Sequence, residues 1–243
     1  MKNDKILAII PARSGSKRIA NKNIKNFLGQ PLIVYAIKQA LACKLIDRVV
    51  VDTDSKKIAK IAKKYGAIVP WLRPKELAGD KAKVVDSIIY NLKKIKQEEG
   101  YEPGYVIILQ TTSPLREVSD IRDCWRAMKA GGATTVLTVC PTHPKLYHLT
   151  KDNFLKLVNG SEGKSNNTQT WPAGYILNGC FVYIIKTKAL LKEKRVITKK
   201  TRAVICPKWR SVDLDTPEEW AMAEVLYKNK ARITKRIKQI NKN

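Results

Sequence analysis

Short apolar runs rich in β-branched residues alternate with longer amphipathic stretches along this chain: KILAIIP, PLIVYAIKQALACK, RVVVDTD, SKKIAKIAKKYG and AIVPW. A strand covered on both faces reads as a continuous apolar run, and joining it to a parallel neighbour takes a crossover helix. The rhythm therefore predicts an α/β fold with a doubly wound, mostly parallel sheet. In the first amphipathic stretch Ile33, Ala36, Ile37, Ala40 and Leu41 recur at i, i+3, i+4, i+7 and i+8, which gives one buried helical stripe. Ile58, Ile61, Ala62 and Tyr65 repeat the pattern, and Gly66 supplies a helix stop. A helix over 84–98, a strand YVIILQ, a helix over 118–130 and a strand TTVLTV continue the series. GCFVYII and RAVIC read as the last strands. A closing helix begins at Thr216, which forms a capping box with Glu219 and has Pro217 at its first position.

From Cys140 to Gly174 the rhythm breaks into a polar segment with Pro141, Pro144 and NGSEGKSNNTQTWP. A stretch this long without clear elements predicts a functional loop, a lid or an arm. The 243 residues suffice for one large α/β domain. It is expected over 1–228, with an arm or lid insertion at 140–176. The tail at 229–243 is rich in cations and is expected as a frayed helix or a disordered arm. No apolar run approaches the roughly 20 residues of a membrane span, and the N-terminus shows no secretory cleavage pattern. The expectation is a soluble cytoplasmic protein with no membrane partner.

The net charge of +26 raises nucleic acid as a partner. The lysines are spread over the whole chain, without aromatic interleaving or a nucleic-acid motif, so solvated helix faces are the expected reading and anionic ligands are welcome. The five cysteines lie far apart with no C-x-x-C pair, which indicates neither a zinc site nor a disulfide framework.

In sheets of this kind ligands bind beyond the carboxyl ends of the strands. The first predicted strand is followed by ARSGSKRIANKN. Gly15 there permits close backbone approach, the amides of Ser14 to Lys17 can face phosphate oxygens, and Arg13 and Lys17 add charge-assisted bonds. The segment has neither the Walker pattern nor G-x-G-x-x-G, which argues against a P-loop ATPase and a nicotinamide dehydrogenase. Asp52 with Asp54 follows the second strand, and Asp213 with Asp215 lies near the end of the chain. Alternate strand residues share a face, so each pair can aim two hard oxygen ligands at one place, as Mg²⁺ requires. Asp54 is expected to cap the helix beginning near Lys56; Asp213 with Asp215 is expected to hold metal. A polar cluster, Gln110 to Arg116, ends YVIIL. Arg116 there either binds an anion or stabilises the turn.

Taken in order, IPARSGSKRIANKN, VVVDTDS, LRPKELAGD, LQTTSPLR, NGCFVY and SVDLDTPEEW resemble the CMP-sialic acid synthetases, or acylneuraminate cytidylyltransferases, over about residues 6–226. The resemblance implies a Rossmann-like fold with a dimerisation arm, corresponding to the irregular segment. The implied activity couples CTP to a nonulosonic, sialic-acid-like sugar acid and releases pyrophosphate, with Mg²⁺ as cofactor. It implies that Ala12, Arg13, Ser14, Gly15, Ser16, Lys17, Lys22, Asn23, Arg73 and Asp80 hold the nucleotide. It places Gln110, Thr112, Ser113, Arg116, Tyr175 and Asn178 at the sugar and Asp213 and Asp215 at the metal. The sugar's anomeric hydroxyl would attack the α-phosphorus in line, with Arg13 and Lys17 stabilising charge. CTP, a sugar acid and a second copy of the chain are the implied partners; nucleic acid is not.

The chain also departs from that family. Ser14 and Arg18 stand where the family loop A-R-G-G-S-K-G has glycines, and Lys83, Val84 and Val85 stand where serines approach the base. Ile176 replaces an arginine that pairs with the sugar carboxylate in many bacterial relatives. Either the acceptor differs from N-acetylneuraminic acid or a cation of the arm such as Lys145 or Lys164 substitutes, since an unpaired buried carboxylate is costly. Two other readings stay open: a transferase of the same fold using another nucleotide or sugar, and a basic nucleic-acid-binding protein with a vestigial site.

Overall fold

The computed structural model describes residues 4–158, 172–179 and 181–241. The first half alternates as the sequence predicts: β1 (Ile6–Pro11), the short β2 (Asn26–Phe27) and β3 (Gln30–Pro31), α1 (Leu32–Leu41), β4 (Arg48–Asp52), α2 (Lys56–Lys64), α3 (Val84–Glu99), β5 (Tyr105–Ile108), α4 (Val118–Lys129) and β6 (Thr135–Thr142). There follow β7 (Tyr147–Leu149), β8 (Leu155–Leu157), β9 (Gly174–Leu177), β10 (Tyr183–Lys186), α5 (Thr187–Glu193), β11 (Thr201–Ile205), α6 (Pro217–Lys228) and α7 (Lys230–Ile240).

The main sheet runs β11-β6-β10-β5-β1-β4, with β9 also paired to β6. β1 is parallel to β4 and β5, and β11 is parallel to β6. β10 lies antiparallel between β5 and β6. The first half of β6 pairs with β10 and its second half with β9, so Asn178 and Gly179 lie in the interval between two partners of one strand.

Burial follows the pleat. Ile6, Ala8 and Ile10 pack on one face with Ile33, Ile37, Ile58, Ala62 and Ile121 from α1, α2 and α4. Leu7 and Ile9 pack on the other with Ile88, Leu92 and Ile95 of α3. A third cluster joins Phe27, Leu32 and Tyr35 to Leu214, Trp220 and Ala223. Phe27 meets Tyr35 and Trp220 edge to face, with ring centroids 5.3 and 5.5 Å apart. This cluster clamps the segment carrying Asp213 and Asp215 beside the loop after β1.

Several expectations need correction. Leu41 leaves the α1 stripe and is 48% exposed, because it ends the helix and its side chain lies over Gly66. Gly66 does stop α2, with φ of 89°. AIVPW contributes only a bridge between Val50 and Ile68. The arm is shorter at both ends than expected, since residues 140–142 belong to β6 and 174–176 to β9, and the described part between them holds the β7–β8 hairpin. The tail continues as α7, with no buried side chain. The capping box of Thr216 and Glu219 and the first-turn Pro217 are present as predicted. Cys43, Cys124, Cys140 and Cys206 are free and buried; Cys180 lies outside the described residues. No helix among them is long and apolar enough to cross a membrane.

Candidate active site

A cleft of about 440 Å³ opens beyond the carboxyl ends of β1, β4 and β5. From the loop after β1 come Arg13, Ser16, Lys17, Arg18, Lys22 and Asn23; from elsewhere come Arg73, Val84, Gln110, Thr112 and Asp215. A larger cavity of about 680 Å³ lies near the start of β5, lined by Leu92, Pro103, Tyr105 and Leu191 among others. None of the predicted site residues lines it.

The cradle loop is pinned from outside. Asp54 accepts from the Ser14 amide at 2.8 Å and the Ser14 hydroxyl at 2.6 Å. Asp54 thus braces the cradle, and the helix cap expected of it falls to Ser55, whose hydroxyl accepts from the Ile58 amide. The Ser16 amide donates to the Ser14 carbonyl. Two of the amides predicted to face phosphate are therefore committed within the protein, and side-chain cations line the cleft instead. The space over Gly15 is open, and Ala12 is buried, its amide extending the β1–β4 pairing to the Asp52 carbonyl. Asn23 is buried; it donates to the Arg13 carbonyl at 2.8 Å and accepts from Thr111 Oγ1 at 2.5 Å. Sequence reasoning missed Thr111, although its place inside the QTTSPLR cluster after a buried strand was a usable signal.

Two carboxylates each hold two cradle cations. Asp80, from the loop before α3, pairs with Arg13 at 3.0 Å and Lys17 at 2.5 Å. Lys17 and then Arg13 hold its carboxyl below the usual range. Asp215 takes Arg18 on Oδ2 and Lys22 on Oδ1, both at 2.8 Å. Arg73 reaches the cleft wall but is anchored: its Nε donates to Asp52 at 3.0 Å and its Nη2 lies 2.6 Å from the same carboxylate, which also accepts from Ser87 at 2.5 Å. Asp52 and Asp54 therefore diverge to different partners.

Asp213 sits behind Asp215. Its Oδ1 is buried with no hydrogen-bond partner, and desolvation raises its pKa, opposed in part by Thr112. Gly179, at φ of 65°, lies against it: a Cβ there would fall 2.5 Å from Asp213 Cγ. No group of three or more His, Cys, Asp or Glu disposed to hold a metal occurs among the described residues. The pair offers two carboxylates, one with an unsatisfied buried oxygen, which suits a hard divalent cation that brings further oxygens with its ligand.

The other predicted sugar contacts are placed differently. Arg116 is buried away from the cleft, donating to the Phe181 and Gln110 carbonyls and to Gln39 Oε1, so its role is to stabilise the turn. Asn178 is buried between Thr138 and Ser211, and Ser113 donates to the Gly179 carbonyl. Tyr175 and Ile176 are exposed on β9 and do not line the cleft. Of the residues standing where serines were expected, Val84 faces the cleft and Val85 packs in the α3 core. Lys164 lies outside the described residues.

Residues 7–237 match the family model described as "Cytidylyltransferase". The chain belongs to the cytidylyltransferase family. Over 229 residues this cytidylyltransferase is 36% identical to a CMP-N,N'-diacetyllegionaminic acid synthase of Legionella pneumophila, covering 91% of this chain and 96% of the relative. It is 32% identical to a pseudaminic acid cytidylyltransferase of Campylobacter jejuni, covering 94% and 97%. An N-acylneuraminate cytidylyltransferase of Escherichia coli is 31% identical over 94% of this chain and 53% of its own length. A CMP:2-keto-3-deoxy-manno-octonic acid synthetase solved with CTP shares the fold at a TM-score of 0.68 and 16% identity, covering 93% of this chain and 99% of that one.

Proposed function

We propose that this cytidylyltransferase couples CTP to a nonulosonic acid, giving the CMP-sugar and pyrophosphate. The observation that carries the reading is the convergence of Arg13, Lys17, Arg18 and Lys22 on one cleft that also holds Asp215. Four cations around one cleft suit a triphosphate, and a carboxylate within reach of them suits the metal that travels with it. The relatives' names supply the acceptor class: legionaminic, pseudaminic and neuraminic acids.

Arg13 and Lys17 leave Asp80 to grip the phosphates, Asn23 fixes the backbone of Arg13, and Gln110 and Thr112 face the acceptor side. The sugar hydroxyl then attacks the α-phosphorus in line with the departing pyrophosphate, and positioning with charge stabilisation does most of the work. Asp213 and Asp215 would hold Mg²⁺, which when bound supplies neutralising charge to the phosphoryl oxygens.

Pyrophosphate release with Mg²⁺ tests this, using each nucleoside triphosphate against a panel of nonulosonic acids and neutral sugars. Turnover with CTP and a nonulosonic acid alone is expected; no release with any nonulosonic acid would remove the reading.

We also propose a homodimer formed through the arm. Leu149, Phe154, Leu155, Tyr175 and Leu177 are 47 to 73% exposed around the β7–β8 hairpin and β9, an apolar patch that a second copy would cover. Sedimentation of the wild type and of Phe154→Glu/Leu155→Glu should give a dimer and a monomer respectively; a monomeric wild type would refute the assignment.

A further inference from the structure

Arg18 is one of the four cations of the cleft, but where Arg13 and Lys17 pair with Asp80 its partner is Asp215. It is one of two cations on Asp215, and the two are not equivalent. Lys22, whose side chain is 14% exposed, is enclosed on Oδ1; Arg18, at 66%, approaches Oδ2 from the open side. Asp213 is packed against Gly179, and its Oδ1 is buried without a hydrogen bond. Asp215 lines the cleft, and a divalent cation arriving from its open side meets first the oxygen that the exposed Arg18 holds, not the one that Lys22 encloses. Expelling an arginine to water is unfavourable when an anion lies within reach, and the same cleft is lined by the phosphate-directed Arg13, Ser16 and Lys17.

We propose that Arg18 is a positioning residue that alternates between two anions, holding Asp215 in the empty site and moving to the triphosphate when a divalent cation takes Asp215. The inference rests on the metal assignment above. Its consequence is coupling: the cation alone must break the Arg18–Asp215 pair with no compensation, whereas the cation with nucleotide gives Arg18 a new partner. Metal-first binding is suppressed, and the two ligands assemble together. Lys22 remains on Asp215 and keeps the carboxylate oriented during the exchange.

The test is binding of Mn²⁺ alone, by electron paramagnetic resonance, and of Mg·CTP, by calorimetry, to the full chain and to Arg18→Ala. Arg18 is exposed, so the variant should fold, and its melting temperature checks this. Mn²⁺ alone should bind the variant about two- to fivefold more tightly, as loss of an exposed ion pair allows. Mg·CTP should bind it on the order of tenfold more weakly, as loss of a charge-assisted phosphate contact requires. Lys25→Ala removes an exposed cation that lies over the Trp220 ring at 5.9 Å and does not line the cleft, and should leave the Mn²⁺ affinity within about twofold, which separates the pair from general charge.

Opposite signs in the two titrations support the proposal. Weakening of both would show a structural role, and an unchanged Mn²⁺ affinity would show simple phosphate binding; either overturns it while the metal assignment stands. A Lys25→Ala effect as large as that of Arg18→Ala also overturns it. If Mn²⁺ binding to the wild type is not saturable, or is unaffected by Asp215→Asn, the metal assignment falls and the inference with it.

Discussion

Asp52→Ala should be among the most damaging single substitutions in this protein, and the reason is its partner. Asp52 is 2% exposed and Arg73 7%, and the carboxylate receives the Arg73 Nε at 3.0 Å, its Nη2 at 2.6 Å and the Ser87 hydroxyl at 2.5 Å. Removing it leaves the buried guanidinium without a counter-charge, only the Asp52 carbonyl still accepting from Nη2 at 2.9 Å. For such a broken buried pair the typical loss is about 3 to 5 kcal/mol. For a chain of this size each kcal/mol moves the melting temperature by roughly 2–4 °C, so a fall of about 6 to 20 °C is expected. The charge is the cause, so Asp52→Ala/Arg73→Met should recover at least half of that loss, although Arg73 lines the cleft and the double variant should bind CTP poorly. Thermal unfolding followed by tryptophan fluorescence measures both. A single variant losing less than about 1 kcal/mol, or a double variant no more stable than the single, would refute the stranded-charge argument.

Gly179→Ala should lower turnover at least tenfold and melt earlier: the residue has φ of 65°, and its new methyl would press on Asp213. Such strain costs on the order of 1–3 kcal/mol. Unchanged kinetics would show that Asp213 need not stay where it is. Asp54→Ala frees the Ser14 amide and hydroxyl, so KM for CTP should rise several-fold with little change in melting temperature; an unchanged KM would mean the cradle holds itself. Burial pushes the Cys206 thiol up to about 12 and raises Cys124 further. At pH 8 both should resist a thiol reagent until the protein is denatured, and rapid native labelling at either, mapped by mass spectrometry, would contradict their burial.

The alternating sheet and helices were legible because each element's apolar period is strong and local. β10 was legible as a strand but not in its direction, since a run apolar on both faces suits either orientation once the arm has carried the chain across. AIVPW meets the free edge of β4 only at the Val50–Ile68 bridge, and Pro70, which has no N–H, cannot carry the ladder further. At the site, Arg13 and Lys17 could be read from their place after β1 and Asp215 from its spacing from Asp213, whereas Lys22 and Asn23 came only with the resemblance to the CMP-sialic acid synthetases. What could not be read is pairing between distant segments: Asp54 with Ser14, Asp52 with Arg73, Asp80 with Arg13 and Lys17. Arg116 shows the same limit, since a guanidinium at a strand end reads as an anion site until the carbonyls of Gln110 and Phe181 are seen to claim it.

The way the arm leaves the sheet has an evolutionary consequence. It departs along β6 and returns along β9, and these two are hydrogen-bonded to each other from Val139 with Leu177 out to Thr142 with Gly174. The ends of the excursion are thus already closed by the sheet. Doubling an already closed loop adds only about 0.6 kcal/mol of entropy. The arm can therefore drift in length and sequence among descendants while the strand register, and Asp213 behind it, stays fixed. An ancestral cytidylyltransferase could change the company it keeps without relearning its chemistry.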